Sequence, residues 1–568
     1  MSHDMSDAPM LRMRPDALGL EPISPTQRMD DLIRRDDARD VVRALEPLEL
    51  YHLIRAVGRA DATELATLAS PEQIQTFFDL DCWRRDRFDP ARMTRWFETL
   101  IELDDNDLQR TMRELDPELP ALLFKSHLQV FLLDEEKQAP PELIALQLPW
   151  EQSPDGVYAI VYPEDETAGR LMRQLINRLF EVDISLARIL LEAARWELIS
   201  PMEESAYQVR RARLEEMGFI DPYEALALFS WRDPDAAKRR LLDTLTQEAQ
   251  DDATRDAHAR RHAPAPAGWS LPALFQQANP DQSFFLQTMA RLAELESEGN
   301  LQGSVRDRMY GTVLLTNKAM SALSVEPGDR DATRRSFERV RGTLSIALAY
   351  LSDRNLDLAA RIMDRAHLQH LFQIGYSLTL KLSRQAEQLL QNPWIDPTLS
   401  LIDDAHYSIL AEPERLVLTS LLKKRPEYGN TDVGYSEPFT TLHQVEVTAT
   451  RLSLLAFKLF AVYGLIGLSR DAIATIAYRS TTHPPIEAIT LDTLLATAIA
   501  RAALGQPGEL EPLDPHELAT LIEDHLQPVV QQLHTLMGDQ IPRPMAELAV
   551  LDGTSLMTTA LNLLARNG

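Results

Sequence analysis

The chain has 568 residues, 45% hydrophobic and 25% charged, which suits two to four globular domains of roughly 150 residues each. A formal charge of −28 excludes a protein built to coat nucleic acid, because phosphate binding needs a concentrated cationic footprint. The single cysteine, Cys82, excludes an intrachain disulfide, fits a reducing cytoplasm and reads as a small buried apolar residue.

Residues 1–22 are polar and Met-rich and read as a disordered tail; the first twenty lack the apolar core of a secretory signal. Residues 23–135 read as a module of short helices. Ser24-Pro25-Thr26-Gln27, Asp61-Ala62-Thr63-Glu64 and Ser70-Pro71-Glu72-Gln73 have the form of capping boxes, and Asp89-Pro90 and Asp116-Pro117 open further helices. Proline at the first helical position fills a site whose N–H has no partner. The 35 prolines therefore mark helix starts, as at Ser200-Pro201, Asp221-Pro222, Asp233-Pro234, Asp396-Pro397 and Asp514-Pro515. Apolar residues recur at helical spacing: Leu50, Leu53, Ile54, Val57; Ile74, Phe77, Phe78; Met93, Trp96, Phe97, Leu100, Ile101. Helices this short must stack on neighbours to close a core.

The run from Leu45-Glu46-Pro47 to Phe78, with Ser70-Pro71-Glu72-Gln73 inside it, resembles the intracellular N-terminal superhelical domain of MgtE-type magnesium transporters. Related arrays occur in flagellar motor-switch proteins. The resemblance implies a superhelical array, and acidic helix ends such as Asp104-Asp105-Asn106-Asp107 that could collect Mg²⁺. The patterns Gly218-Phe219-Ile220-Asp221-Pro222-Tyr223-Glu224-Ala225 and Leu371-Phe372-Gln373-Ile374-Gly375-Tyr376-Ser377 are similar to a family of uncharacterised bacterial proteins of this size, which implies no activity.

Residues 136–246 combine a connector, one strand over Val157–Tyr162 with no evident partner, and a second helical module. In that module Leu186, Ile189, Leu190 and Ala193 are expected to line one face. Residues 247–280 read as a linker, rich in Asp, Arg, Ala and His. Residues 281–568 form the expected C-terminal helical domain. Its centre carries Leu344, Leu348 and Leu351, then Leu368, Leu371, Phe372 and Leu378, and an irregular excursion over 392–439 contains a helix at Glu414–Leu422. Leu452–Leu468 is apolar but carries Lys458 and is too short to span a bilayer, so it reads as a core helix. The basic clusters Arg84/Arg85/Arg87, Arg210/Arg211/Arg213, Lys238/Arg239/Arg240 and Lys423/Lys424/Arg425 lack interleaved aromatics and read as solvated helix surface, with an anion or RNA contact as the alternative.

No glycine-rich phosphate loop, dinucleotide fingerprint or nucleophile elbow is present. His516-Glu517-Leu518-Ala519-Thr520 lacks the second histidine of a zinc-protease helix, and its glutamate reads as a cap. One metal site can be written down: Asp364, His367 and His370 at i, i+3 and i+6 of one helix, completed by His406 or Asp403. The fold expected is all-α, stacked short helices in two blocks, with at most one or two short strands near 157–162. The leading function is a cytoplasmic scaffold that holds a protein partner and needs no cofactor, with no membrane span and no nucleic acid. The alternatives are a regulator responsive to Mg²⁺ or another divalent cation, and a metal-dependent enzyme at Asp364, His367 and His370.

Overall fold

The computed structural model of the protein describes residues 24–248, 264–265, 283–298, 305–391, 410–460, 491–506, 515–521 and 523–524. The chain is mostly α-helical and divides into two compact units, Met1–Gly375 and Tyr376–Gly568. The expected tail 1–22, most of the expected linker 247–280, Asp396-Pro397, and the part of the excursion holding Asp403 and His406 lie outside the described residues.

The first unit opens with α1 (Pro25–Ile33), α2 (Ala38–Ala44), α3 (Pro47–Val57), α4 (Thr63–Thr67) and α5 (Pro71–Asp81). After a two-residue hairpin, Trp83–Arg84 (β1) on Arg87–Phe88 (β2), come α6 (Pro90–Leu100), α7 (Asp105–Glu114) and α8 (Glu118–His127). The caps follow the sequence reading at Ser24, Asp89 and, as a complete capping box, Ser70. Glu46 also caps α3, accepting from the Glu49 N–H at 3.1 Å. Three expected caps are absent, the first at Asp116-Pro117, where α8 begins at Glu118 with Pro117 before it and no side-chain cap. Helix α4 begins at Thr63 with Ala62 before it and no side-chain cap, and α12 (Ile199–Glu216) begins one residue ahead of Ser200, uncapped by Leu198. The core is an aromatic ladder across three helices: Tyr51 on Phe77 at 6.0 Å, Phe77 on Trp96 at 5.2 Å, Phe78 on Phe97 at 5.7 Å.

The expected strand is real and has partners. Tyr158–Val161 (β5) pairs antiparallel with Gln129–Leu132 (β3) on one side and Glu151–Gln152 (β4) on the other. A short helix, α9 (Pro141–Leu146), lies between β3 and β4 in sequence, and Leu143 packs with Leu133, Ala159 and Val161 under the sheet. The unit continues with α10 (Glu166–Val182), α11 (Ile184–Trp196), α12, α13 (Pro222–Ala225) and α14 (Pro234–Glu248). Then come α15 (Phe284–Ser297), α16 (Val305–Ala322), α17 (Arg330–Leu351), α18 (Leu356–Arg365) and the first turns of α19 (Leu368–Leu390), within which the unit ends at Gly375. The residues expected at the centre of this block, Leu344, Leu348, Leu351, Leu371 and Phe372, are fully buried.

On α11 the buried stripe is Ala187, Leu190, Leu191 and Ala194, which packs on α8 and β3. Ile189, expected inside, points out and is 62% exposed. The stripe is rotated by about one residue because α8 and the sheet together offer the helix its apolar surface.

The basic cluster at 210–213 is structural. Arg210 is 4% exposed, donates to the Asp79 and Arg85 carbonyls and lies over the Trp83 ring. Arg213 forms a two-pronged pair with Asp79 at 2.6 and 2.9 Å. These bonds tie α12 to the end of α5. Cys82 is buried as expected, and burial pushes its thiol pKa well up.

The second unit contains α20 (Glu412–Leu421), a hairpin of Tyr428–Asn430 (β6) with Tyr435–Glu437 (β7), α21 (Leu442–Leu459), α22 (Leu491–Ala503) and α23 (Pro515–Leu521). The described part of the expected excursion is therefore a helix followed by a hairpin. Lys458 pairs with Glu414 at 2.8 Å and Asp492 at 2.5 Å, so its charge is neutralised where it stands. Glu517 accepts from Arg501 at 2.9 Å. Among the described residues no helix is long and apolar enough to cross a membrane.

Candidate functional site

The residues written down as a metal site do not share a helix. Helix α18 ends at Arg365, Ala366 is extended (ψ 148°), and α19 starts at Leu368. Asp364 is buried and pairs with Arg365 at 3.2 Å. The break has a reason: the buried Arg308 donates to the Asp364 and Ala366 carbonyls and so closes the C-terminus of α18. His367 and His370 face each other with ring centroids 5.2 Å apart. Burial, then Arg232 and His367, holds His370 down at about 4. Among the described residues no group of three or more His, Cys, Asp or Glu is placed to hold a metal ion. The acidic start of α7 is occupied by arginines: Asp107 pairs with Arg39 at 2.7 Å and Arg43 at 3.1 Å, and Asp105 with Arg178 at 2.6 Å.

Two other features stand out in the first unit. The first is an apolar ridge at the junction of α11 and α12. Trp196 is 69% exposed and Leu198 71%, with Ile199 beside them and Ile189 two turns back on the outward face of α11. The backbone under the ridge is pinned. Lys125 Nζ donates to the Ala194 carbonyl at 2.7 Å and the Arg195 carbonyl at 3.4 Å, which closes the C-terminal end of α11. The Arg195 guanidinium lies 4.2 Å over the Trp196 ring. Single exposed apolar residues are ordinary, but a run that includes a tryptophan on a fixed backbone is not.

The second feature is a cleft of about 530 Å³ walled by Arg55 in the last turn of α3 and Arg59 just after it, Leu80 and Asp81 at the end of α5, Arg92 and Arg95 on α6, and the segment from Glu326 to Asp331 that opens α17. Its carboxylates are engaged locally. Asp81 accepts from Trp96 Nε1 at 3.0 Å and lies 3.9 and 3.7 Å from Arg55 and Arg92. Glu326 accepts from the Arg85 N–H at 3.0 Å, and Asp329 caps α17 through the Ala332 N–H at 2.9 Å. Gly328 seats the segment: its carbonyl accepts from the Tyr51 hydroxyl at 3.4 Å, and a Cβ there would stand 2.8 Å from the Leu80 carbonyl. Sequence reading missed this cleft because none of its arginines belongs to a basic cluster. The only local trace is the i, i+3 spacing of Arg92 and Arg95, which places that pair on one side of α6, whereas Arg59 lies past the end of α3.

The chain matches a family of unknown function (DUF6178) over residues 7–552, and it belongs to that family. No curated protein matches it. No solved structure matches it either.

Proposed function

We propose that this DUF6178 protein is a helical interaction protein that docks a protein partner on the ridge formed by Ile189, Trp196, Leu198 and Ile199. The observation that carries this reading is the exposure of Trp196 and Leu198 on a backbone held by Lys125. A ridge of this kind supplies the aromatic and aliphatic anchors on which binding energy concentrates, and a fixed backbone lowers the ordering cost of association. The stacked helices serve as the frame that presents it. The partner is a protein with a complementary apolar depression wide enough for an indole.

The test is affinity capture from the source organism with the wild type and with Trp196→Asp/Leu198→Asp. Both residues are exposed, so the double variant folds with little loss of stability. A partner recovered in stoichiometric amount by the wild type and lost by the variant supports the reading. Identical recovery by both removes it.

A further inference from the structure

The cleft between α3, α5, α6 and α17 holds five arginines, Arg55, Arg59, Arg92, Arg95 and Arg330, in a chain whose net charge is −28. Arg55 and Arg92 flank Asp81. The other three have no carboxylate partner among the described residues. Arg59 lies over the Trp96 ring at 5.8 Å, and Arg95 Nε reaches only the Ala91 carbonyl of its own helix at 3.3 Å. Four carboxylates share the wall, but Asp81 lies between Arg55 and Arg92, Glu326 accepts from the Arg85 amide, Asp329 caps α17 and Asp331 stands 3.9 Å from Arg334, so none of them forms an ion pair with Arg59, Arg95 or Arg330. Burial first, then the neighbouring Arg95, lowers the pKa of Arg59, with Asp81 and Glu98 acting in the opposite direction. The first turn of α17, a 22-residue helix, adds the positive end of its dipole to the same wall.

We propose that this cleft binds a small phosphate-rich anion of the polyphosphate or phosphate-ester class. Guanidinium forks match phosphate oxygens in pairs, so three arginines outside ion pairs suit a multiply charged phosphate ligand. The wall contains Leu80 as its one apolar residue, and Trp96 is buried beneath Arg59 with 1% exposure. A nucleobase would therefore find no exposed aromatic ring to stack on, which favours a ligand that is polar throughout. The site is preformed: Gly328 on Tyr51 and Leu80, and Glu326 on the Arg85 amide, fix the opening of α17 against α3 and α5.

The test is isothermal titration of the full chain with sodium tripolyphosphate at near-physiological salt, beside sodium sulfate at equal ionic strength and a poly-glutamate peptide. Saturable 1:1 binding of tripolyphosphate is expected, with sulfate at least tenfold weaker. Arg59→Met, Arg95→Met and Arg330→Met should each weaken binding by about tenfold or more, as loss of one charge-assisted pair requires. Arg95→Lys should fall between, because it keeps the charge and loses the fork. Arg110→Met, which removes an exposed arginine paired with Glu114, should bind as the wild type does. Unliganded Arg95→Met should melt no lower than the wild type, because the substitution relieves repulsion. This melt also serves as the folding control, and Arg330→Met carries the test alone if either α3- or α6-side variant fails to fold. The proposal is overturned by any of three results: no saturable binding, equal weakening by Arg110→Met, or tighter binding of poly-glutamate than of tripolyphosphate.

Discussion

The pairing of Asp79 with Arg213 is the sharpest place to test how the first unit is held together. Asp79 is 1% exposed, and its two carboxylate oxygens lie 2.6 and 2.9 Å from Arg213 Nε and Nη2. Gln75 Nε2 donates to the same carboxylate at 3.0 Å. Asp79→Asn keeps the volume and the Gln75 bond but removes the charge. A hydrogen bond to a charged group contributes about 1.5–3 kcal/mol, so two give roughly 3–6 kcal/mol before compensation. Asp116 stands 3.4 Å from Arg213 Nη2, and the Arg213 side chain is 30% exposed, so a fallback partner and water recover about half. The expected cost is therefore about 2–3 kcal/mol, and the expected coupling in a cycle with Arg213→Met is about 2 kcal/mol. The pair joins α5 to α12, so the quantity to measure is the opening free energy of these two helices by amide hydrogen exchange. A coupling below about 0.5 kcal/mol would refute the reasoning and mark the pair as incidental.

Burial, with Glu49 and Glu72 nearby, raises the Glu46 carboxyl from its ordinary 4.5 to about 7. A carboxyl raised on folding favours the protonated native state, so its penalty is absent below pH about 4.5, grows through pH 7 and is complete above it. Glu46→Gln keeps the α3 cap acceptor and should stabilise by about 1–3 kcal/mol at pH 8, less the small helix-dipole term, with little effect at pH 5. Urea midpoints at the two pH values check this, and an equal shift at both contradicts it. Gly375→Ala would drive a Cβ into the Thr343 carbonyl, forcing α19 off α17. The expected loss is at least about 1–3 kcal/mol by calorimetry, and a neutral result would show that the helices do not approach this closely.

Much of this architecture was legible in the sequence because capping is local chemistry. Ser24, Ser70, Asp89, Asp221 and Asp233 each accept from an amide two or three residues on, and proline follows every one of them. Ser200-Pro201 and Asp61-Ala62-Thr63-Glu64 carry the same signal and do not cap, since α12 starts at Ile199 and α4 at Thr63. What decides such cases is packing, which the local pattern does not contain. The partner of Tyr158–Val161 was hidden for a similar reason. Gln129–Leu132 is only four residues long and directly follows α8, so it reads as the tail of a helix. Arg210 and Arg213 look like solvated surface until the end of α5 is brought against them. The arginine cleft joins residues 55–95 to residue 330, a separation that no spacing rule spans.

The docking claim is tested most directly by placing a photo-crosslinking amino acid at Leu198 in the source organism, with the exposed Arg34 position as the control. One discrete protein adduct from position 198, absent from position 34 and lost on adding Trp196→Asp, is the result expected. No adduct at 198, or the same adducts from both positions, would contradict the claim that this ridge is where the protein meets its partner.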